Sequence, residues 1–329
     1  MRSFDYYKVT TVSQAVALLA RHKETAAVLG GGSDMLAIMK DRVEGAKLKS
    51  PRHVLDINGV KEMSHIKEEK GSLMIGAATT LSEIASSSLI SGKYPLIAQA
   101  AGQVGVPQIR NVATLGGNLC QRPRCWYFRG RLFGDCLRKG GSNCYAQAGE
   151  NQYHAIFANG TCCMVYPSDM AVALAALGAK VEIAAAKGKR MVPVDQFYVK
   201  PEKSILKETI LLPGELVKGV EVPAPLQGSK GVFLKLKERQ AFDFAIVSVA
   251  ATVVLKGDTV TEAHIVLGGV APFPWRSTRA EAACKGKKLK DAVGTACKAA
   301  VEGAAPLSNN AYKVKATEGL VEQALGLLA

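Results

Sequence analysis

An α+β fold in two domains is what this sequence predicts, and three observations carry that expectation. The 329 residues exceed what one small core holds. The first sixty residues alternate strand, glycine turn and helix, whereas from about Gly231 the pattern becomes long alternating strands, then amphipathic helices over roughly the last 50 residues.

Taken in order, "TVSQAVALLARH" opens with Thr11 and Gln14 at capping-box spacing and sets Ala15, Val16, Leu18 and Leu19 on one helical face. "AAVLGGGSDMLAIMK" reads as strand, tight turn and helix, and "HVLDI" at 53–57 as the next strand. Gly30, Gly31 and Gly32 have no side chains to hold a ligand off, and the turn amides with the helix amino end favour an anion such as phosphate. Positive φ is expected at Gly31. Such a turn is also common without any ligand. Two later stretches have the same character. "LMIGAATTLSEI" at 73–84 pairs Thr80 with Glu83 at capping spacing, and "QIRNVATLGGNL" at 108–119 flanks a second glycine pair with Thr114 and Asn118. Three such loops suggest one long ligand. "FAIVSVAATVVLKGDTVTEAHIVLGGV" is a hairpin with its bend at Lys256-Gly257-Asp258, and "LKDAVGTACKAAVEGA" is an amphipathic helix. Pro223, Ala224 and Pro225 precede this change of texture, which divides the chain into 1–221 and 222–329.

Composition narrows the function classes. Hydrophobic residues at 48% and charged residues at 21% are ordinary for a globular chain. The longest nearly apolar run, "MAVALAALGA" from Met170 to Ala179, is about half a membrane span, so no transmembrane helix is expected. The net charge of +14 comes from dispersed basic residues with local clusters at 122–139 and 285–290, without an aromatic-interleaved motif, and no nucleic-acid partner is expected. "MRSFDYYKVTT" lacks the apolar core of a secretory signal, which leaves a cytoplasmic location, or a periplasmic one reached by export with a partner.

The segment "CQRPRCWYFRGRLFGDCLRKGGSNC", Cys120 to Cys144, packs four of eight cysteines and six basic residues into 25 positions. From Cys120 to Cys163 no helix or strand of useful length can be written, and so long an irregular loop needs a function or an internal staple. The cysteines are too sparse and too clustered for a disulfide scaffold. Ten residues separate Cys125 from Cys136, seven lie before Cys144, and seventeen more before Cys162. Zinc ribbons favour closer pairs, and open spacing suits a cube-shaped iron–sulfur cluster wrapped by a loop. On spacing alone both metals stay open.

The whole chain resembles the FAD-binding subunit of the molybdenum hydroxylase, or xanthine dehydrogenase, family: "GGGSDML" and "ATLGGNL" look like its flavin loops, and "FDFAIVSVA" with "VLGGVAPFPWR" like its carboxyl-terminal flavoprotein domain. "RCWYFRG", the Cys136–Cys144 interval and "CCMVYPSDMAVALAAL" look like the subgroup with an extra 4Fe–4S cluster, found in bacterial aldehyde oxidoreductases and 4-hydroxybenzoyl-CoA reductases. The first type looks closer, through "YPSDMAVALAAL" and "AGENQYHAIF".

The resemblance implies a two-subdomain FAD-binding domain with the cluster loop at 120–163 inserted, followed by a smaller domain of antiparallel sheet plus helices. It implies Cys125, Cys136, Cys144 and Cys162 as cluster ligands, with Cys162 preferred over adjacent Cys163 because it stands seven positions before Asp169. Cys120, Cys284 and Cys297 are not ligands. For FAD it implies diphosphate contacts along Val28, Leu29, Gly30, Gly31, Gly32, Ser33, Asp34 and Met35, a second side at Thr114, Gly117 and Asn118, Asp169 on a ribose or ring edge, and Lys235, with Lys237 as the rival register, near the isoalloxazine. Arg122, Arg124, Arg129, Arg131, Arg138 and Lys139 are expected to offset the charge of the cluster or to form a surface. No catalytic residue is assigned, and His22, His53, His65, His154 and His264 fall in no catalytic motif. The implied function is electron transfer within a heterotrimeric molybdenum oxidoreductase, with a molybdopterin-binding large subunit, a 2Fe–2S small subunit and an electron acceptor or donor as partners. A stand-alone FAD oxidase and a zinc-stapled interaction module are the rivals.

Overall fold

The computed structural model describes residues 1–329, and its strands form three sheets. The first, of β1 (Asp5–Lys8), β2 (Ala26–Leu29) and β3 (His53–Asp56), is parallel in the order β1-β3-β2. Thr11 caps the helix Val12–His22 by accepting from the Gln14 N–H, but the Gln14 side chain reaches back to the Thr10 N–H, one residue beyond the box expected. Ala15, Val16 and Leu19 are buried, and Leu18 is only half-buried because it lies at the edge of that face.

The second sheet is antiparallel, in the order β4 (Ile66–Glu69), β5 (Ser72–Gly76), β8 (Leu216–Val222), β6 (Lys180–Ala185) and β7 (Gly188–Pro193). Pairing of β5 with β8 brings Gly76 against Gly219. The first glycine loop leaves β2, the second follows the short helix Pro107–Arg110, and the Thr80–Glu83 capping box fixes the start of the helix Leu81–Ser86 beside the Thr80↔Thr114 bridge.

The third sheet is antiparallel, in the order β12 (Trp275–Arg276), β11 (Thr259–Gly268), β10 (Val247–Lys256) and β9 (Ser229–Leu236). Alternation along β10 explains its two partners: Val249, Ala251 and Val253 join the core under the helices Thr278–Cys284, Leu289–Ala300 and Tyr312–Leu328, while Ala250 faces the main core. The chain changes sheet between Val222 and Ser229, across Pro223-Ala224-Pro225. Ile156 and Phe157, far upstream of that change, nevertheless pack in the carboxyl-terminal core. β10 begins at Val247, later than the apolar run that opens at Phe244, and this leaves residues 244–246 free to line a cavity. No helix is long and apolar enough to cross a membrane.

Phe197, fully buried in the main core, is a test of this packing. Phe197→Ala is expected to cost about 3–5 kcal/mol, read from urea unfolding; a loss under about 1 kcal/mol would place that ring outside a packed core.

Candidate functional site

The two glycine loops meet face to face. A Cβ on Gly31 would lie 1.9 Å from the Val112 carbonyl oxygen, so no larger residue fits there, and positive φ falls on the next residue, Gly32 (φ +72°), rather than on Gly31. The constraint on Gly31 is thus close approach of backbones. Thr114 caps the helix Leu115–Cys120 through the Gly117 N–H (3.2 Å), and Ser168 Oγ donates to Asn118 Oδ1 at 2.6 Å.

All thirteen residues expected at the flavin line one cleft: Val28, Leu29, Gly30, Gly31, Gly32, Ser33, Asp34, Met35, Thr114, Gly117, Asn118, Asp169 and Lys235. The cleft continues into a cavity of about 500 Å³, and the two share Arg124, Pro167, Asp169, Asp243 and Phe244. That volume lies within the range of cofactor pockets. Sequence reasoning gave no role here to Phe242, Asp243 or Phe244, although "FDF" stands inside the quoted motif.

Three of these residues also have partners within the protein. Asp169 and Lys235 are buried and paired with each other at 2.7 Å, so the Asp169 carboxylate holds the ammonium in place and Lys235 also donates to the Gln103 carbonyl. Burial raises the Asp169 carboxyl above its ordinary value against the pull of Lys235. Lys237 instead bonds Gln103 Oε1 and the Ala241 carbonyl and does not line the cleft. The Asp34 carboxylate, in the cleft lining, meets Arg129 (2.6 Å), Arg124 (2.9 Å) and the Arg122 N–H (2.9 Å).

Between Cys120 and Cys163 the backbone makes only single turns, at Trp126–Arg129, Leu137–Lys139 and Tyr145–Gln147. Cys125, Cys136, Cys144 and Cys162 nonetheless line one small cavity, and the other four cysteines do not. Cys163 donates its S–H to the Asn159 carbonyl, and Cys120, buried near the flavin cleft, has its thiol pushed up to about 12 by burial. Cys284 and Cys297 belong to the carboxyl-terminal core. No three His, Cys, Asp or Glu side chains converge closely enough to hold a single ion. The cavity between the four thiols is small, about 10 Å³.

The charges around this cage are unusual for a thiol pocket. Arg138 is almost wholly buried, its Nε 3.3 Å from Cys162 Sγ and one terminal nitrogen without a partner. Lys139 is fully buried and donates to the Gly130 carbonyl. Arg122 and Arg138 share Glu208, and Arg124 and Arg129 share Asp34. Four guanidiniums on two carboxylates leave positive charge that an anionic group between the thiols would balance. Of the basic residues expected to offset a cluster, only Arg138 reaches a sulfur: carboxylates take up Arg122, Arg124 and Arg129, Lys139 donates to the Gly130 carbonyl, and Arg131 is exposed. His154, assigned nothing from sequence, places Nε2 at 3.3 Å from Cys125 Sγ; burial and the Lys313 charge push its imidazole down to about 4, so the ring is neutral. Cys125 alone lines both this cage and the 500 Å³ cavity.

Comparison with known proteins identifies the family. Residues 2–225 match the model of the FAD binding domain in molybdopterin dehydrogenase, and residues 232–327 that of the CO dehydrogenase flavoprotein C-terminal domain. The chain is 37% identical over 286 residues, 86% of each chain, to the aldehyde oxidoreductase FAD-binding subunit of Escherichia coli (strain K12). It is 30% identical over 328 residues to the carbon monoxide dehydrogenase medium chain of Hydrogenophaga pseudoflava, covering 98% of this chain and 96% of that one. A solved structure of carbon monoxide dehydrogenase from that organism superposes with a TM-score of 0.77 at 28% identity, over 99% of this chain and 96% of the other.

Gly31→Val is expected to abolish flavin retention, since the new side chain would drive the two loops apart. The flavin-to-protein ratio after gel filtration measures it. A normal ratio would remove the first glycine loop from the site.

Proposed function

The chain belongs to the family of FAD-binding flavoprotein subunits of molybdenum-containing oxidoreductases, and on that premise we propose that it is the FAD and 4Fe–4S electron-transfer subunit of a heterotrimer of the aldehyde oxidoreductase type. A molybdopterin-binding large subunit and a 2Fe–2S small subunit are its partners, and an external acceptor or donor exchanges electrons with it. The observation that carries the cluster is that four of eight cysteines line one cage against a buried guanidinium, with Cys125 also in the wall of the 500 Å³ cavity that adjoins the flavin cleft.

Bound FAD would supply two-electron to one-electron exchange, and the cluster one-electron storage. The rest is done by this chain's own residues. The amides of Gly30 to Ser33 and the amino end of the helix Met35–Lys40 present positive dipole to the diphosphate. Lys235, held by Asp169, keeps a positive charge at the cleft and stabilises negative charge that reduction brings there. Arg138 lowers the cost of four thiolates in a dry cage. The substrate-oxidising chemistry is assigned to the large subunit, and this chain holds the flavin.

Purified protein is expected to carry one FAD and one 4Fe–4S cluster per chain, measured as flavin, iron and acid-labile sulfide. Replacing Cys125, Cys136, Cys144 or Cys162 by Ala should bring iron near zero, and replacing Cys120, Cys163, Cys284 or Cys297 should leave it. Zinc in place of iron, or loss of iron in Cys163→Ala with retention in Cys162→Ala, would overturn the assignment.

A further inference from the structure

We propose that His154 sets the reduction potential of the group held by the four cysteines, by donating its Nε2–H to Cys125 Sγ, and that Lys313 and Asn310 are the positioning residues that hold His154 there. The inference rests on the cluster reading above. It concerns a residue that no cysteine or glycine motif contains.

His154 is buried, with Nε2 at 3.3 Å from Cys125 Sγ, and it stands on the side of Cys125 that faces the 500 Å³ cavity. Trp126 packs edge-on against the ring (centroids 6.1 Å, 83°) and Tyr127 lies tilted beside it (6.0 Å), which fixes the imidazole plane. Against a ligating thiolate, which can only accept, the ring nitrogen is the donor. An N–H···S bond favours the more negative, reduced state and raises the potential.

The backbone that carries His154 is irregular; beyond the His154 N–H bond to the Asn151 carbonyl (2.9 Å), it is held by the last helix and the turn before it. Lys313 Nζ donates to the His154 carbonyl (2.9 Å), the Tyr153 carbonyl (3.3 Å) and the Gly269 carbonyl. Asn310 Nδ2 donates to the carbonyls of His154 (3.1 Å) and Ala155 (3.2 Å). Asn151 closes the far side, donating to Ser308 Oγ and accepting from the Asn309 N–H. Asn151, Asn310 and Lys313 are each 0% exposed. An apolar residue at 313 would fill that space without burying an ammonium, so the polar clamp is specific for this loop conformation. It ties residues 151–155 to a helix about 160 positions downstream, and it defines where the imidazole sits.

The test is an EPR-monitored redox titration of the purified flavin- and iron-loaded protein, comparing wild type with His154→Leu and His154→Gln. His154→Leu is expected to shift the cluster midpoint to a more negative potential while the flavin midpoint stays put. His154→Gln, whose amide can donate to the same sulfur, is expected to recover part of the shift. Lys313→Met is expected to move the cluster midpoint in the same negative direction with iron content kept. If His154→Leu fails to hold iron, the Lys313→Met midpoint decides, and an unchanged value overturns the proposal. A cluster present in His154→Leu at the wild-type potential overturns this inference and leaves the cluster reading standing. Wild-type protein without iron overturns the cluster reading and this inference with it.

Discussion

The carboxylate of Asp34 is the joint on which the site depends. It ends the first glycine loop, and it holds Arg124, Arg129 and the Arg122 N–H of the cysteine loop. A loop of some forty residues with no sheet or long helix has little to order it. Docking it on Asp34, with Glu208 taking Arg122 and Arg138 at the other end, makes it a wall of the flavin cleft. The backbone contact of Gly31 with Val112 then sets how closely the second glycine loop approaches the first.

From that joint follows the spatial order of the cleft and the cysteine cage. Arg124 lines the cleft and the larger cavity, its guanidinium 4.9 Å over the Phe244 ring, and Cys125, the next residue, lines both the cavity and the thiol cage. One peptide unit therefore separates the flavin side from the sulfur side. Electron transfer weakens steeply with distance through protein, so a shared wall is the arrangement that favours it. The positive charge left over after Asp34 and Glu208 are shared out stands on the cage side, where Arg138 and Lys139 are buried. Without an anionic group there, burying both cations would be costly.

Much of this was legible in the sequence wherever the determinant is local. The Thr80–Glu83 box, the strand–glycine–helix passage at 26–40 and the bend at Gly257 rest on residues within a few positions of one another, and they stand as read. The thirteen cleft residues were named through motifs that are themselves local, and the fold brings them together. What the sequence hid are partners set by distant pairing. Asp34 meets Arg129 across 95 positions, Asp169 meets Lys235 across 66, and His154 meets Cys125 through a clamp built by Lys313. A lone histidine in an irregular segment carries no periodicity, and a buried lysine in an amphipathic helix looks like a surface residue until packing shows otherwise. Phe244 was read as strand because it is apolar and precedes an alternating run; the strand starts at Val247, and the ring serves the cleft instead.

The central claim is that a cluster-stapled cysteine loop forms one wall of the flavin cleft, and diffraction from crystals of the cofactor-loaded protein, recorded on both sides of the iron and zinc absorption edges, tests it most directly. The account predicts iron anomalous density inside the cage bounded by Cys125, Cys136, Cys144 and Cys162, with flavin in the adjoining cleft across Cys125. Anomalous density at the zinc edge alone, iron bound elsewhere on the chain, or flavin on a face that does not include Arg124 would contradict it.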